Sequence, residues 1–311
     1  GTPHEGDWGV IPGLAEADYD DVNTADYAIE VLGRKQDRPF FLACGIFRPH
    51  LPWYAPQRFY DLYPLADIRL PKTRANDLED IPSEGRALSA RRRNEFLHIK
   101  KHGKWKEAIR AYLASISFAD AQLGRVLDAL EQSPHHRNTI IVFWSDHGWH
   151  LGEKNHWHKS TLWEEATRIP FLISAPGVTL GNTRCLRPVD TLSIYPTLLE
   201  LCGLKPVAGL DGPSLVPLLK NPEGPWATPA ITEFQRGQCA VRTDRYRYIR
   251  YADGTEELYD HTRDPQEWTN IAGFEASRPV IAELAQWIPR DFAPNAPSKK
   301  AYQFDPHTYG R

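Results

Sequence analysis

Asp146 and His147 follow directly on the apolar run "TIIVFW", Thr139 to Trp144, and Lys159 comes thirteen residues after Asp146. A carboxylate oxygen and an imidazole nitrogen side by side can share one divalent cation. An oxygen-rich site with one histidine suits calcium, magnesium or manganese, and also accepts zinc. Two adjacent ligands do not complete such a site; the plain alternative is a capping aspartate beside a hydrogen-bonded histidine. A lysine placed like Lys159 can stabilise charge that develops on a transferring sulfuryl or phosphoryl group, although most lysines only solvate a surface. His50, in "FRPHLPW", is held by prolines on both sides. It can give a proton to a leaving alcohol, or simply bond a backbone partner in its turn. His150, His156 and His158 crowd the stretch "WSDHGWHLGEKNHWHKS". On an extended backbone His156 and His158 face one way around Trp157, but their spacing is no standard zinc pattern.

These groups need elements to position them. The runs Phe40–Cys44 and Thr139–Trp144 are apolar without polar alternation, as in parallel strands buried on both faces. Between them "EAIRAYLASISFADAQLGRVLDALEQ" carries Ile109, Leu113, Ile116, Leu123, Leu127 and Leu130 at helical spacing. "VNTADYAIEVLG" reads as an earlier helix with Asn23 as its N-cap and Gly33 as its stop. Phe171–Ser174 adds a third strand and "DTLSIYPTLLELCGL" a helix. Strand, crossover and strand in this order predict an α/β fold with a mostly parallel sheet flanked by helices. In such sheets chemistry gathers at the carboxyl ends of strands, where both the His50 and the Asp146 loops fall. Beyond Leu204 the composition turns to Pro and Gly, which predicts a boundary between residues 1–205 and 206–311. The later part reads as a small antiparallel sheet subdomain, with Asp253-Gly254 as a hairpin turn and a closing helix over Arg278 to Trp287.

Composition bounds the rest. With 311 residues, 41% of them hydrophobic, the chain can bury a large core. A net charge of -3 argues against nucleic acid as a partner, and no run is apolar for long enough to span a membrane. The four cysteines are scattered and read as free thiols. From Arg86 to Arg110 there are nine Lys/Arg against two Glu. That is either a solvated surface, the commoner outcome, or a rim for a polyanion.

Three stretches, "FFLACGIFRPHLPWYAPQRFYDLYP", "IIVFWSDHGWHLGEKNHWHKSTLWEEATRIPFLISAPG" and "RPVDTLSIYPTLLELCGL", resemble the type I sulfatases, most of all their iduronate-2-sulfatase-like branch. "AVRTDRYRYIRYADGTEELYDHTRDPQEWTNIAG" is similar to that family's C-terminal subdomain. The resemblance runs from about Asp18 to Trp287. It implies an alkaline-phosphatase-like sandwich, calcium as the metal, and a sulfated sugar, polysaccharide or small sulfate ester as substrate, outside the cytoplasm in the periplasm or secreted. It assigns Asp146 and His147 to the metal, Lys159 to the sulfate and bridging oxygen, and His50 to protonation of the leaving group. It sets Trp149, His156 and Trp157 in the substrate wall.

One departure is large. The family's nucleophile is a formylglycine made from Cys or Ser in a C/S-x-P-x-R motif, and this sequence has none. Cys44 has Arg48 at the right distance but Ile46 where proline is required. "DYDD", Asp18 to Asp21, lacks the strand-end context of the family's paired metal aspartates. The chain therefore reads as the C-terminal portion of a sulfatase, its nucleophile upstream and the missing N-terminal part a possible partner, inactive by itself. Two other readings stay open: a phosphodiesterase or phosphonate monoester hydrolase of the same superfamily, and a non-catalytic module that binds sulfated glycan through the basic stretch.

Overall fold

The computed structural model describes residues 6–294, without the side chains of Arg92 and Arg93. In chain order its elements are β1 (Trp8–Gly9), α1 (Asp20–Gly33), β2 (Trp53–Tyr54), α2 (Gln57–Asp61), α3 (Ser83–Lys101), α4 (Trp105–Gln132), β3 (Ile141–Trp144), β4 (His150–Leu151), β5 (Trp157–His158), α5 (Glu164–Thr167), β6 (Phe171–Ser174), α6 (Ile194–Leu201), α7 (Val216–Lys220), β7 (Ala230–Glu233), β8 (Cys239–Arg242), β9 (Tyr246–Arg250), β10 (Glu256–Asp260) and α8 (Arg278–Leu284). Short 3-10 turns join several of them. The chain divides into two compact units. The first runs to Lys72 and adds Arg93–Phe143 and Leu172–Gly177; the second takes Thr73–Arg92, Trp144–Phe171 and everything from Val178 on. This division does not follow the boundary expected at residue 205, because the first half of α3 and the segment after the Asp146 loop pack with the C-terminal sheet.

In the first unit α1 lies against α4. Half of the buried side chains of α4 are small, Ala108, Ala111, Ala114 and Ser115, beside Ile109, Phe118, Gln122 and Leu130. Ile116 and Leu127, expected in the apolar stripe, are exposed. Ala25 and Ala28 of α1 are also buried, and small residues let two helices approach closely. Phe118 anchors the contact, edge-on to Tyr19 at 5.2 Å and tilted on Phe59 at 5.3 Å. The first helix starts at Asp20 instead of after Asn23, and stops at Gly33 as expected. β3 pairs with β6, and β1 with β2 in parallel. Phe40–Cys44 forms no strand: it has no ladder partner among the described residues. Nor are the two apolar runs covered on both faces, since Phe41 is 83% and Trp144 47% exposed.

The second unit is built on an antiparallel sheet in the order β10-β9-β8-β7. The hairpin β9–β10 turns where expected; Gly254 takes φ 84°, and Asp253 Oδ1 accepts from the Thr255 N–H. Side chains alternate across a strand, and here both faces are covered. Cys239, Val241, Tyr248 and Leu258 pack with Ile281 and Leu284 of α8. Ala240, Ile249, Tyr251 and Tyr259 pack with Leu88 of α3 and with Leu162 and Trp163.

The second face also buries charge. Glu257 accepts from Trp163 Nε1 at 2.8 Å, Tyr251 OH at 2.6 Å and Tyr259 OH at 2.5 Å. A Cβ on Gly85 of α3 would stand 2.5 Å from that carboxylate, so only glycine lets the helix come this close. Arg247 pairs with Glu164 and, at 2.6 Å, with Glu267. Burial would raise the Glu267 carboxyl, but Arg247 and His261 outweigh it and hold it at about 2. Beside this face the Lys154 ammonium meets Asp77 Oδ1 at 3.0 Å and the Glu267 carbonyl. Removing one partner of a buried pair strands the other's charge. Asp77→Ala is expected to cost roughly 3–5 kcal/mol of stability by urea denaturation.

Candidate active site

The loop after β3 is fixed residue by residue. Ser145 Oγ donates to the His147 carbonyl at 2.9 Å. His147 Nδ1 lies 2.8 Å from the Gly148 carbonyl; a carbonyl only accepts, so this nitrogen carries the proton. The Nε2 lone pair is then directed at the candidate site. It receives the Lys159 Nζ donor at 2.7 Å, and Asp146 Oδ2 lies 3.4 Å away. The structure thus brings together Asp146, His147 and Lys159, in the second unit. The Asp146 side chain is 75% exposed.

One carboxylate oxygen and one imidazole nitrogen converge here, a donor pair that suits an oxygen-preferring divalent cation. The bond from Nδ1 to the Gly148 carbonyl fixes the tautomer whose Nε2 can ligate. A cation and the Lys159 ammonium compete for the same lone pair, so both together require Lys159 to turn toward an anion. The remaining oxygens are not supplied by these two residues.

Gly148 explains itself only in three dimensions. Its N–H donates to the Ala166 carbonyl at 2.8 Å, and a Cβ there would stand 2.0 Å from the Glu165 carbonyl oxygen. β4 and β5 pair through His150 with His158 and Leu151 with Trp157. Between and after them the chain takes positive φ at Lys154, Asn155, His158 and Ser160. Such backbone is strained and persists only where the surroundings over-determine it. Burial of Lys154 and a bond from Ser89 Oγ to its carbonyl at 2.8 Å do that here.

The histidines and tryptophans of the loop divide by burial. His156 and Trp157, expected in a substrate wall, are 0% and 1% exposed. Both are enclosed in this structure, and the His156 ring nitrogens face the Ser89 and Lys159 carbonyls. Trp149 is nearly buried, its ring 6.1 Å from His147 and 4.7 Å from His158. His150 is closed in by Thr161 Oγ1 at 2.7 Å and the Glu153 carbonyl at 3.2 Å.

His50 belongs to the first unit, in the turn before β2. Its Nδ1 lies 2.7 Å from the Leu51 carbonyl, and a carbonyl only accepts, so this nitrogen carries a ring proton. Asp21 holds this turn: its Oδ1 accepts from the Phe47 N–H at 2.6 Å and its Oδ2 from the Arg48 N–H at 3.2 Å. Trp53 Nε1 donates to the Pro49 carbonyl at 2.8 Å on the other side. Asp21 was legible in sequence only as part of "DYDD"; nothing there pointed to a turn 26 residues away. One further acidic group, Glu164, His261 and Glu267, has atoms close enough to share a metal. Arg242 and Arg247 already pair with it, which marks it as a structural charge cluster.

The family model for sulfatases matches residues 3–204, and that for N-sulphoglucosamine sulphohydrolase, C-terminal, matches residues 152–291. The chain belongs to the sulfatase family. It is 43% identical to a sulfatase of Formosa agariphila over 97% of this chain and 59% of that protein. It is 31% identical to human iduronate 2-sulfatase over 88% of this chain and 52% of that protein. A phosphonate monoester hydrolase of Agrobacterium radiobacter superposes with a TM-score of 0.72 at 26% identity, covering 92% of this chain and 62% of that one. The chain thus spans less than two thirds of each of these proteins, and its fold is the alkaline-phosphatase-like one of sulfatases.

Gly148→Ala is expected to push the loop off α5, with an overpacking cost of about 1–3 kcal/mol by urea denaturation. Asp21→Ala strips two N–H groups of their acceptor. It is expected to cost about 1–3 kcal/mol and to speed hydrogen exchange at Phe47 and Arg48.

Proposed function

We propose that this chain is the larger C-terminal part of a sulfatase that hydrolyses a sulfate ester of a sugar or polysaccharide. The observation that carries the proposal is the convergence of Asp146 and the Lys159 ammonium on His147 Nε2, within a chain of this family. Asp146 and His147 would hold a calcium ion, whose charge would polarise the sulfate oxygens. Lys159 neutralises charge on the sulfate and the bridging oxygen as the S–O bond breaks. The family resemblance would give His50 the role of proton donor to the leaving alcohol. The nucleophile, a formylglycine in this family, comes from outside these 311 residues.

The exposed apolar side chains Phe41, Phe143 and Leu172 support a second part of the reading. Runs of this kind belong in sheets covered on both faces. The part of the relatives that this chain does not match is the segment we assign to cover them. The 31% identity to iduronate 2-sulfatase makes a sugar acid sulfate one substrate to try, and the 30% identity to a choline-sulfatase of Rhizobium meliloti makes choline sulfate another. A polymeric substrate would put the enzyme outside the cytoplasm, in the periplasm or secreted. Among the described residues no helix is long and apolar enough to cross a membrane.

The similarity to a phosphonate monoester hydrolase supports a second reading on the same groups. Paired nitrophenyl sulfate and phosphonate esters separate the two. In the longer protein, matured to carry formylglycine, sulfate release is expected to dominate. Lys159→Ala is expected to lower kcat/KM by at least about 100-fold, the scale of removing one charge-stabilising donor. Preferential phosphonate cleavage, or full sulfatase activity in Lys159→Ala, would overturn the assignment.

A further inference from the structure

Two buried histidines in the Asp146 loop stand side by side with different partners. Their rings meet edge to face with centroids 5.1 Å apart. His150 has one carbonyl, that of Glu153, and one hydroxyl, that of Thr161. A hydroxyl can donate, so a neutral ring satisfies both: Nδ1 gives its proton to the carbonyl and Nε2 receives one from the threonine. His156 has two carbonyls. Its Nδ1 lies 3.0 Å from the Ser89 oxygen in α3 and its Nε2 2.9 Å from the Lys159 oxygen. Carbonyl oxygens only accept, so each nitrogen has to bring a proton. A neutral ring would set a lone pair against a lone pair at hydrogen-bond distance, with no exposure to water to relieve it.

We propose that His156 is an imidazolium that acts as a positioning residue for Lys159, tying that lysine's backbone to α3. The carbonyl it holds lies between two residues in left-handed backbone, His158 at φ 81° and Ser160 at φ 75°. Without that bond the strained turn that aims the ammonium at His147 Nε2 loses its tether. The other end of the strut is also fixed, because Ser89 Oγ donates to the Lys154 carbonyl. Burying a cation is costly, and two charge-assisted bonds offset part of that cost. Burial first, and then His156 beside it, holds His150 well below the ordinary histidine range. The inference rests on the sulfatase reading only for what Lys159 then does to an anion.

Long-range proton–nitrogen spectra of the labelled 311-residue chain at pH 7, with His156 assigned through its backbone, test the charge. Two protonated ring nitrogens on His156 and one on His150 are expected. A bare nitrogen on His156 overturns the proposal. His156→Gln tests the positioning. The acylation rate of Lys159, followed by mass spectrometry, is expected to change at least threefold relative to the unaltered chain, while Lys35 stays as it was. An unchanged Lys159 rate in a folded His156→Gln chain also overturns it. Should that variant not fold, the ring spectrum of the unaltered chain decides alone. Neither measurement involves sulfate turnover, so a wrong substrate assignment would leave both results standing.

Discussion

The buried ammonium of Lys154 is the contact on which the Asp146 loop depends. It meets Asp77 and the Glu267 carbonyl beneath the loop, and its own carbonyl receives Ser89. A lysine so placed cannot leave without stranding Asp77 in a site that excludes water. That obligation makes the left-handed residues Lys154, Asn155, His158 and Ser160 tolerable, at about 1–3 kcal/mol for each. The strain in turn shapes the short β4–β5 pair and delivers Lys159 to His147.

The C-terminal sheet is the other half of this arrangement. A small antiparallel sheet usually keeps one polar face toward water. Here the face with Arg247, Glu257 and Tyr259 is turned inward, against α3 and Trp163. Its polar groups are satisfied by partners from the loop and from α5: Glu257 by Trp163, Arg247 by Glu164 and the Leu162 carbonyl. The sheet is therefore a support for the candidate site and cannot be separated from it as an independent domain. This is why the compact units divide where they do, and not at the Pro- and Gly-rich stretch after Leu204.

The first unit shows the opposite condition. Its helices are well packed, yet its strands are bare on part of their surface. A turn held by Asp21 and Trp53 keeps His50 in place without help from the sheet. The turn that carries the candidate proton donor is closed, while side chains on the strands stay exposed.

The sequence by itself determined the chemistry-bearing residues and the kind of elements that carry them. Asp146, His147, Lys159 and His50 follow apolar runs, and that much is local, as are the hairpin at Asp253-Gly254 and the closing helix from Arg278. Burial was not local. Whether Ile116 or Ala111 faces a partner helix depends on where α1 lies, which no helical period states. Whether His156 lines a pocket or braces a backbone depends on Ser89, 67 residues away. Gly148 and Gly85 look like ordinary glycines until another segment's oxygen stands where a Cβ would go. The tertiary structure decided these because each is set by atoms distant in the chain, and hydrogen-bond satisfaction in a closed interior leaves them little choice.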